Sequence, residues 1–192
     1  MIRLENITLS YGGQTVLQDC TLRVQAGARV ALMGPSGCGK TSLLNAVAGE
    51  LSLPGVTVAG AVSYVFQESA LFPWLTAAEN VNVVLGDSAD TLPQAKDWLA
   101  QAGLEVCADK YPHQLSGGQK RRVAILRALA YGGDVLLLDE PFQGLDETAQ
   151  QRMAELIGQV WAGRTLLLAT HDVWEAELLG CHVLTYSDGK FV

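Results

Sequence analysis

A chain of 192 residues, 49% hydrophobic and 17% charged, holds enough apolar side chains to bury the core of one domain, or of one domain with a small appended lobe. Its formal net charge of −7 argues against non-specific binding to nucleic acid or to an anionic membrane surface. No apolar run approaches the roughly 20 residues that a membrane-crossing helix needs, and the low charged fraction implies that partners cover part of the surface. The scattered cysteines Cys20, Cys38, Cys107 and Cys181 form no C-x-x-C pair, and Met1–Asn6 has no signal-peptide layout, so a reducing cytosol is expected.

Ile2–Leu9 alternates and reads as a strand, with a turn at Tyr11-Gly12-Gly13. Val16-Leu17 and Thr21–Val24 are further strand candidates, and Ala26-Gly27 separates them from the apolar run Val30–Met33. That run leads into Gly34-Pro35-Ser36-Gly37-Cys38-Gly39-Lys40-Thr41-Ser42, which fits the phosphate-loop spacing G-x-x-x-x-G-K-[ST] and precedes a helical stretch, Leu43–Ala48. Gly34, Gly37 and Gly39 lack Cβ atoms, so the backbone can wrap phosphate oxygens with its N–H groups inward. The helix that starts near Lys40 adds free N–H groups and the positive end of its dipole. Lys40 is expected on the β- and γ-phosphates of a nucleotide, and the Thr41 hydroxyl on Mg²⁺.

Gly49 closes this helix, and Pro54-Gly55 turns the chain into short β segments at 56–58 and 61–66. Residues 68–130 read as mostly helical, with apolar side chains at helical spacing in 77–85, 92–102 and 118–130. Strand character returns at 135–138, 165–169 and 183–186, with helices expected over 148–161 and 173–179. Continuous apolar strands separated by helices indicate a parallel sheet buried on both faces. The expected organisation is a nucleotide-binding α/β core with a helical insertion.

Asp139 and Glu140 close the strand at 135–138, at the sheet edge where open α/β folds bind ligands. Asp139 is placed to hold Mg²⁺ directly or through water, and Glu140 to polarise a water for attack on a γ-phosphate. Two solvated acids ending a strand are the plain alternative. Leu115-Ser116-Gly117-Gly118-Gln119 joins a serine, two glycines and a following helix into a second anion-binding helix start. One nucleotide needs only one such cradle, so the second points to a phosphate contact on another copy of the chain.

Leu115–Gln119 with Lys120-Arg121-Arg122-Val123-Ala124-Ile125 resembles the signature of ABC ATPases, the nucleotide-binding subunits of ABC transporters. The resemblance covers nearly the whole chain, with motifs in the family's order. It implies the ABC ATPase fold: an α/β P-loop NTPase core with a mostly parallel sheet, an antiparallel β lobe, and a helical subdomain. That subdomain, about 68–130, is inserted in a single domain spanning 1–192. The β lobe is expected to be reduced, because Gly49–Gln67 is short for the family. Residues 34–41 become the Walker A loop and 135–140 the Walker B strand with its catalytic glutamate. Tyr11 resembles the aromatic that stacks on adenine. Gln67 resembles the glutamine that touches Mg²⁺ and senses the γ-phosphate. Gly144-Leu145-Asp146 resembles the loop that crosses the dimer interface, and His171 the switch histidine on the γ-phosphate. Tyr11 also suits a packing aromatic, Gln67 a polar strand end, and His171 a structural histidine. Leu126 stands where a small alanine is usual, and Gln143-Gly144 where Ser-Ala is more common.

The run Val65–Val81 resembles bacterial importer ATPases, most of all those serving sulfonate, nitrate, taurine or thiamine-precursor uptake. It implies ATP and Mg²⁺ as ligands and a second ATPase subunit in an ATP-driven homodimer. It also implies an integral membrane permease docked near Phe72, Trp74 and Leu75, a solute-binding protein in the complex, and a position on the cytoplasmic face of the cell membrane. Phe72 and Trp74 either fill the core of the helical lobe or line an exposed apolar groove. With few residues after His171, the regulatory domain that some importer ATPases carry is not expected. The rivals are a soluble ABC-type ATPase acting on a protein assembly and a GTPase switch. A nucleic-acid partner is disfavoured by the charge, and the switch by the absence of any Asn-Lys-x-Asp guanine reader.

Overall fold

The computed structural model describes residues 1–192, apart from the side chains of Tyr11 and Gln14. The chain divides into two compact units, one of Met1–Tyr64, Gly133–Glu140 and Ala162–Val192, the other of Val65–Gly132 and Pro141–Trp161.

The first unit holds two sheets. β1 (Ile2–Tyr11) pairs antiparallel with β2 (Gln14–Val24) and with β4 (Val56–Val58) in the order β2-β1-β4. The strand candidates at 16–17 and 21–24 are parts of one strand. The interruption between them is a bulge, with Asn6 at φ 54° and Asp19 at φ 47°. Hydroxyls replace the missing ladder acceptors there: Asn6 N–H donates to Thr21 Oγ1 at 3.1 Å and Asp19 N–H to Thr8 Oγ1 at 3.2 Å. The pairing therefore survives the change of register.

β3 (Arg29–Met33), β5 (Val62–Val65), β6 (Val135–Asp139), β7 (Thr165–Thr170), β8 (His182–Ser187) and β9 (Lys190–Phe191) form the second sheet, in the order β5-β6-β7-β3-β8-β9. β3 runs parallel to β7 and β8, and β6 parallel to β7. Every residue of β6 and β7 is buried, as their continuous apolar runs dictate. β8 is largely exposed, so burial on both faces does not extend to it; its neighbour β9 is a two-residue antiparallel strand that sequence patterning did not reveal. Leu32, Leu43, Leu137 and Leu167 are fully buried in one core cluster, each worth about 1.5–3 kcal/mol relative to exposure. α1 (Lys40–Ala48) follows β3 and ends at Gly49.

The second unit is helical: α2 (Ala77–Asn82), α3 (Leu92–Gln101), α4 (Gly117–Tyr131) and α5 (Glu147–Val160). The helix expected over 77–85 stops at Asn82 and continues as a 3₁₀ turn, Val83–Leu85. Thr76 and Glu79 start α2 with a capping box, the Thr76 hydroxyl accepting from Glu79 N–H and the Glu79 carboxylate from Thr76 N–H. α2 packs on α3 and α4. Leu126, large where a small residue is usual, is fully buried in α4. Asn80 is buried too, and its amide donates to the carbonyls of Phe72, Leu75 and Thr76 while its oxygen accepts from Phe72 N–H. One side chain thus fixes the loop 72–76. Among the described residues no helix is long and apolar enough to cross a membrane.

Candidate functional site

In the first unit, β6, β7 and β3 are sheet neighbours and end together: Asp139 aligns with Ala169, and Thr170 with Met33. Their carboxyl ends deliver three groups to one edge. The loop 34–39 leaves β3, Asp139 and Glu140 leave β6, and Thr170-His171 leaves β7.

The glycine loop turns where only a residue without a Cβ fits. A Cβ on Gly34 would meet Tyr186 Cβ at 2.7 Å and Cys38 Sγ at 2.8 Å, so only glycine fits that turn. Gly39, in the left-handed region at φ 95°, is the N-cap of α1 and brings no side chain to its first turn, which leaves the helix start to an anion. Lys40 is 8% exposed and folds back over the loop, its Nζ donating to the carbonyls of Gly34 at 2.7 Å and Pro35 at 3.1 Å. Pro35, Ser36, Gly37 and Thr41 are exposed, Ser42 is half-buried and Cys38 is buried. The Tyr11 ring lies outside the described residues.

Asp139 is buried. Glu140 follows in the left-handed region at φ 47°, a conformation that costs a non-glycine residue about 1–3 kcal/mol. Contacts of both its backbone and its side chain hold it there. Glu140 N–H donates to the Ala169 carbonyl at 2.9 Å, and its carboxylate lies 2.9 Å from His171 Nδ1 through either oxygen. Thr170 Oγ1 donates to the same carboxylate at 3.4 Å. The hydrogen bond to Glu140, and then its charge, raise the pKa of the exposed His171 above its ordinary value. Sequence reading gave Glu140 and His171 separate roles; the pairing depends on the alignment of β6 and β7 and has no local signal.

In the second unit, Ser116 N-caps α4 in a capping box. Its hydroxyl accepts from Gln119 N–H at 3.2 Å, and the Gln119 amide oxygen accepts from Ser116 N–H at 2.9 Å. Gln119 is thereby committed to the cap. The two glycines differ. A Cβ on Gly118 would meet the Gly144 carbonyl at 3.0 Å and Leu145 at 3.2 Å, whereas one on Gly117 would meet open space. Gly118 serves packing, and Gly117 leaves a free approach to the helix start. Asp146 N-caps α5, accepting from Ala149 N–H at 2.8 Å. A cavity of about 510 Å³ is lined by Gln67, Ser116, Gly117, Gly118, Asp146 and their neighbours, which brings five of the candidate residues around one space. In the same unit Trp74 is 69% exposed, Phe72 borders on exposed, and Leu75 is half-buried.

The family model described as ABC transporter matches residues 17–143. The taurine import ATP-binding protein TauB of Escherichia coli (strain K12) is 37% identical over 205 residues, covering 98% of this chain and 80% of the relative. The aliphatic sulfonates import ATP-binding protein SsuB 1 of Rhizobium johnstonii is 41% identical over 204 residues, covering 98% and 74%. A dimeric bacterial ABC transporter cassette superposes with a TM-score of 0.88 at 30% identity, covering 100% of this chain and 96% of that one. A dimeric ATP-binding cassette in a post-hydrolysis state with ADP and Pi matches with the same TM-score, at 29% identity and the same coverage. With a family model matched over residues 17–143 and relatives matched over 98% of its length, the chain belongs to the ABC transporter family, among its ATP-binding subunits.

Proposed function

We propose that this chain is the ATP-hydrolysing subunit of a bacterial importer, working as a head-to-tail pair on a separate membrane permease. The observation that carries the reading is the meeting of the glycine loop, Asp139 and the Glu140–His171 pair at the adjoining carboxyl ends of β3, β6 and β7. Backbone N–H groups of 34–39 and the Lys40 ammonium receive the ATP phosphates. Glu140 takes the proton of the attacking water, and His171 orients that carboxylate. Tyr11 provides the adenine contact.

Thr41 and Asp139 would hold Mg²⁺, whose charge would offset that of the phosphates; Gln67, in the helical unit, carries the glutamine role that the family resemblance implies. Mg²⁺ is commonly held by one or two carboxylates plus substrate phosphates rather than by a protein cage. That habit suits a single buried carboxylate, Asp139, at the end of β6.

The open approach at Gly117 supports the second half of the reading: Ser116 and Gly117 face the nucleotide held by the partner copy, with Gly118 packed and Gln119 capping behind them and Asp146 lining the same space. Residues 1–192 form one ATPase domain, with a helical subdomain around 68–130. Phe72, Trp74 and Leu75 receive the permease, which keeps the chain on the cytoplasmic face of the membrane, and a solute-binding protein completes the complex.

Lys40→Ala tests the nucleotide site. Charge-assisted hydrogen bonds are worth about 1.5–3 kcal/mol, so ATP affinity should fall roughly 10- to 150-fold. Titration of a fluorescent ATP analogue measures this, and parental affinity in the variant would remove Lys40 from the phosphates. The shared site has its own test. In a Glu140→Gln background ATP should convert monomer to dimer in sedimentation, and adding Ser116→Arg should hold the chain monomeric, because bulk and charge then occupy the approach beside Gly117. A dimer that forms equally well with the arginine present contradicts the head-to-tail arrangement.

A further inference from the structure

Arg121 lies on α4, five residues after Ser116, and is 3% exposed. A guanidinium is tolerated in such a place only when acceptors meet its N–H groups. Its Nε donates to the Pro141 carbonyl at 2.9 Å, and its Nη1 donates to the Gln67 carbonyl at 3.1 Å and to the Phe66 carbonyl. One planar fork therefore ties together three segments: the helix that starts at Ser116, the backbone that carries Gln67, and the residue that follows Glu140 in the chain. The adjacent Arg122 has a different job, donating from Nη1 to the Ala102 carbonyl at 2.9 Å.

We propose that Arg121 is a positioning residue for ATP hydrolysis, acting through Gln67. The inference rests on the reading above, in which Gln67 serves the nucleotide. The Gln67 side chain is exposed, so its placement depends on the backbone beneath it, and Arg121 clamps that backbone at two consecutive carbonyls. The hydrogen bonds run to main-chain oxygens on the protein side, so the charge of Arg121 is spent inside the fold rather than on a phosphate. Lysine would keep the charge but not the fork, because a single ammonium head lacks the spread of donors that these carbonyls engage.

The test is a double-mutant cycle on the full chain with Mg-ATP, measuring kcat, KM and melting temperature for Arg121→Ala, Arg121→Lys, Gln67→Ala and each arginine variant combined with Gln67→Ala. Displacing a reacting group's support by about 1 Å costs up to roughly 10²-fold, so Arg121→Ala should lower kcat about 10- to 100-fold with KM within about twofold. Arg121→Lys should lose at least about threefold in kcat and guards against failure of the alanine variant to fold. In the Gln67→Ala background either arginine change should alter kcat by less than about twofold, since nothing is left to position. A general packing role predicts losses that multiply. If Gln67→Ala impairs turnover and the arginine losses multiply on top of it, the role of Gln67 stands and that of Arg121 is overturned. If Gln67→Ala turns over at the parental rate, the reading of Gln67 itself fails and takes the proposal with it.

Discussion

Glu140→Gln is expected to leave ATP bound and to lower turnover by roughly 10²–10⁴-fold, the range of a general base's contribution. The carboxylate sits at the end of a buried strand, and the left-handed backbone at φ 47° turns it out of the β geometry. Glutamine meets the same backbone demand as glutamate, so the substitution isolates the carboxylate: the amide keeps the shape and cannot take a proton. The change should also be visible at His171. Its pKa is raised by the hydrogen bond to Glu140 and then by the charge of that residue, so the imidazole of the variant should titrate closer to the ordinary value of about 6.5, as followed by NMR. For a histidine whose folded pKa is raised, the pair's stabilisation is fully present below the unfolded pKa and is lost as pH rises through the folded one. Protection of the parent by this pair should therefore fade on the alkaline side, and the variant should lack that component. Turnover within a few-fold of the parent would remove Glu140 from the base role. An unmoved His171 titration would sever the pair.

How far the sequence was legible follows from how local each signal is. The phosphate loop and the N-cap at Ser116 are written within ten residues or fewer, because φ > 0, close backbone approach and capping each demand particular residue types in a fixed order. β6 and β7 were legible because burial on both faces leaves no room for alternation. What escaped depends on tertiary neighbours. Gly117 and Gly118 are indistinguishable in sequence, and only the approach of Gly144 and Leu145 separates the packed glycine from the open one. β9 is two residues long and has no period to read. Arg121 looks like any basic residue of the signature helix until its fork is found on three carbonyls. The bulge that joins the two halves of β2 rests on hydroxyls from the facing strand. Phe72 and Trp74 suited a core and a groove equally by composition, because exposure is a tertiary property that composition does not carry.

Trp74→Ala is the substitution on which those two readings part most sharply. Trp74 is 69% exposed, and its ring lies 5.6 Å from that of Phe72 at a tilt of 43°. Phe72 in turn carries the Arg127 guanidinium 5.4 Å from its ring centre, and Arg127 donates to the Ala70 carbonyl. Burial lowers the pKa of Arg127 from its ordinary value, as expected of a cation sheltered beside a ring. Asn80 holds the backbone beneath through its bonds to Phe72, Leu75 and Thr76. The loop is thus well tied, yet it presents its largest apolar side chain to solvent, an arrangement that suits a docking surface better than a core. On the proposed reading the permease covers this ring. Truncating a central interface aromatic commonly costs at least about 2 kcal/mol, so affinity for the permease should fall by about 30-fold or more. The melting temperature of the isolated chain should stay within about 1–2 °C of the parent, because an exposed side chain contributes little to its own fold. A core tryptophan would behave oppositely, with a loss of about 3–5 kcal/mol of stability. Both quantities are to be read on the same preparation, by detergent pull-down against the permease and by thermal melting. A variant that melts early while still binding the permease at parental affinity would end the groove reading.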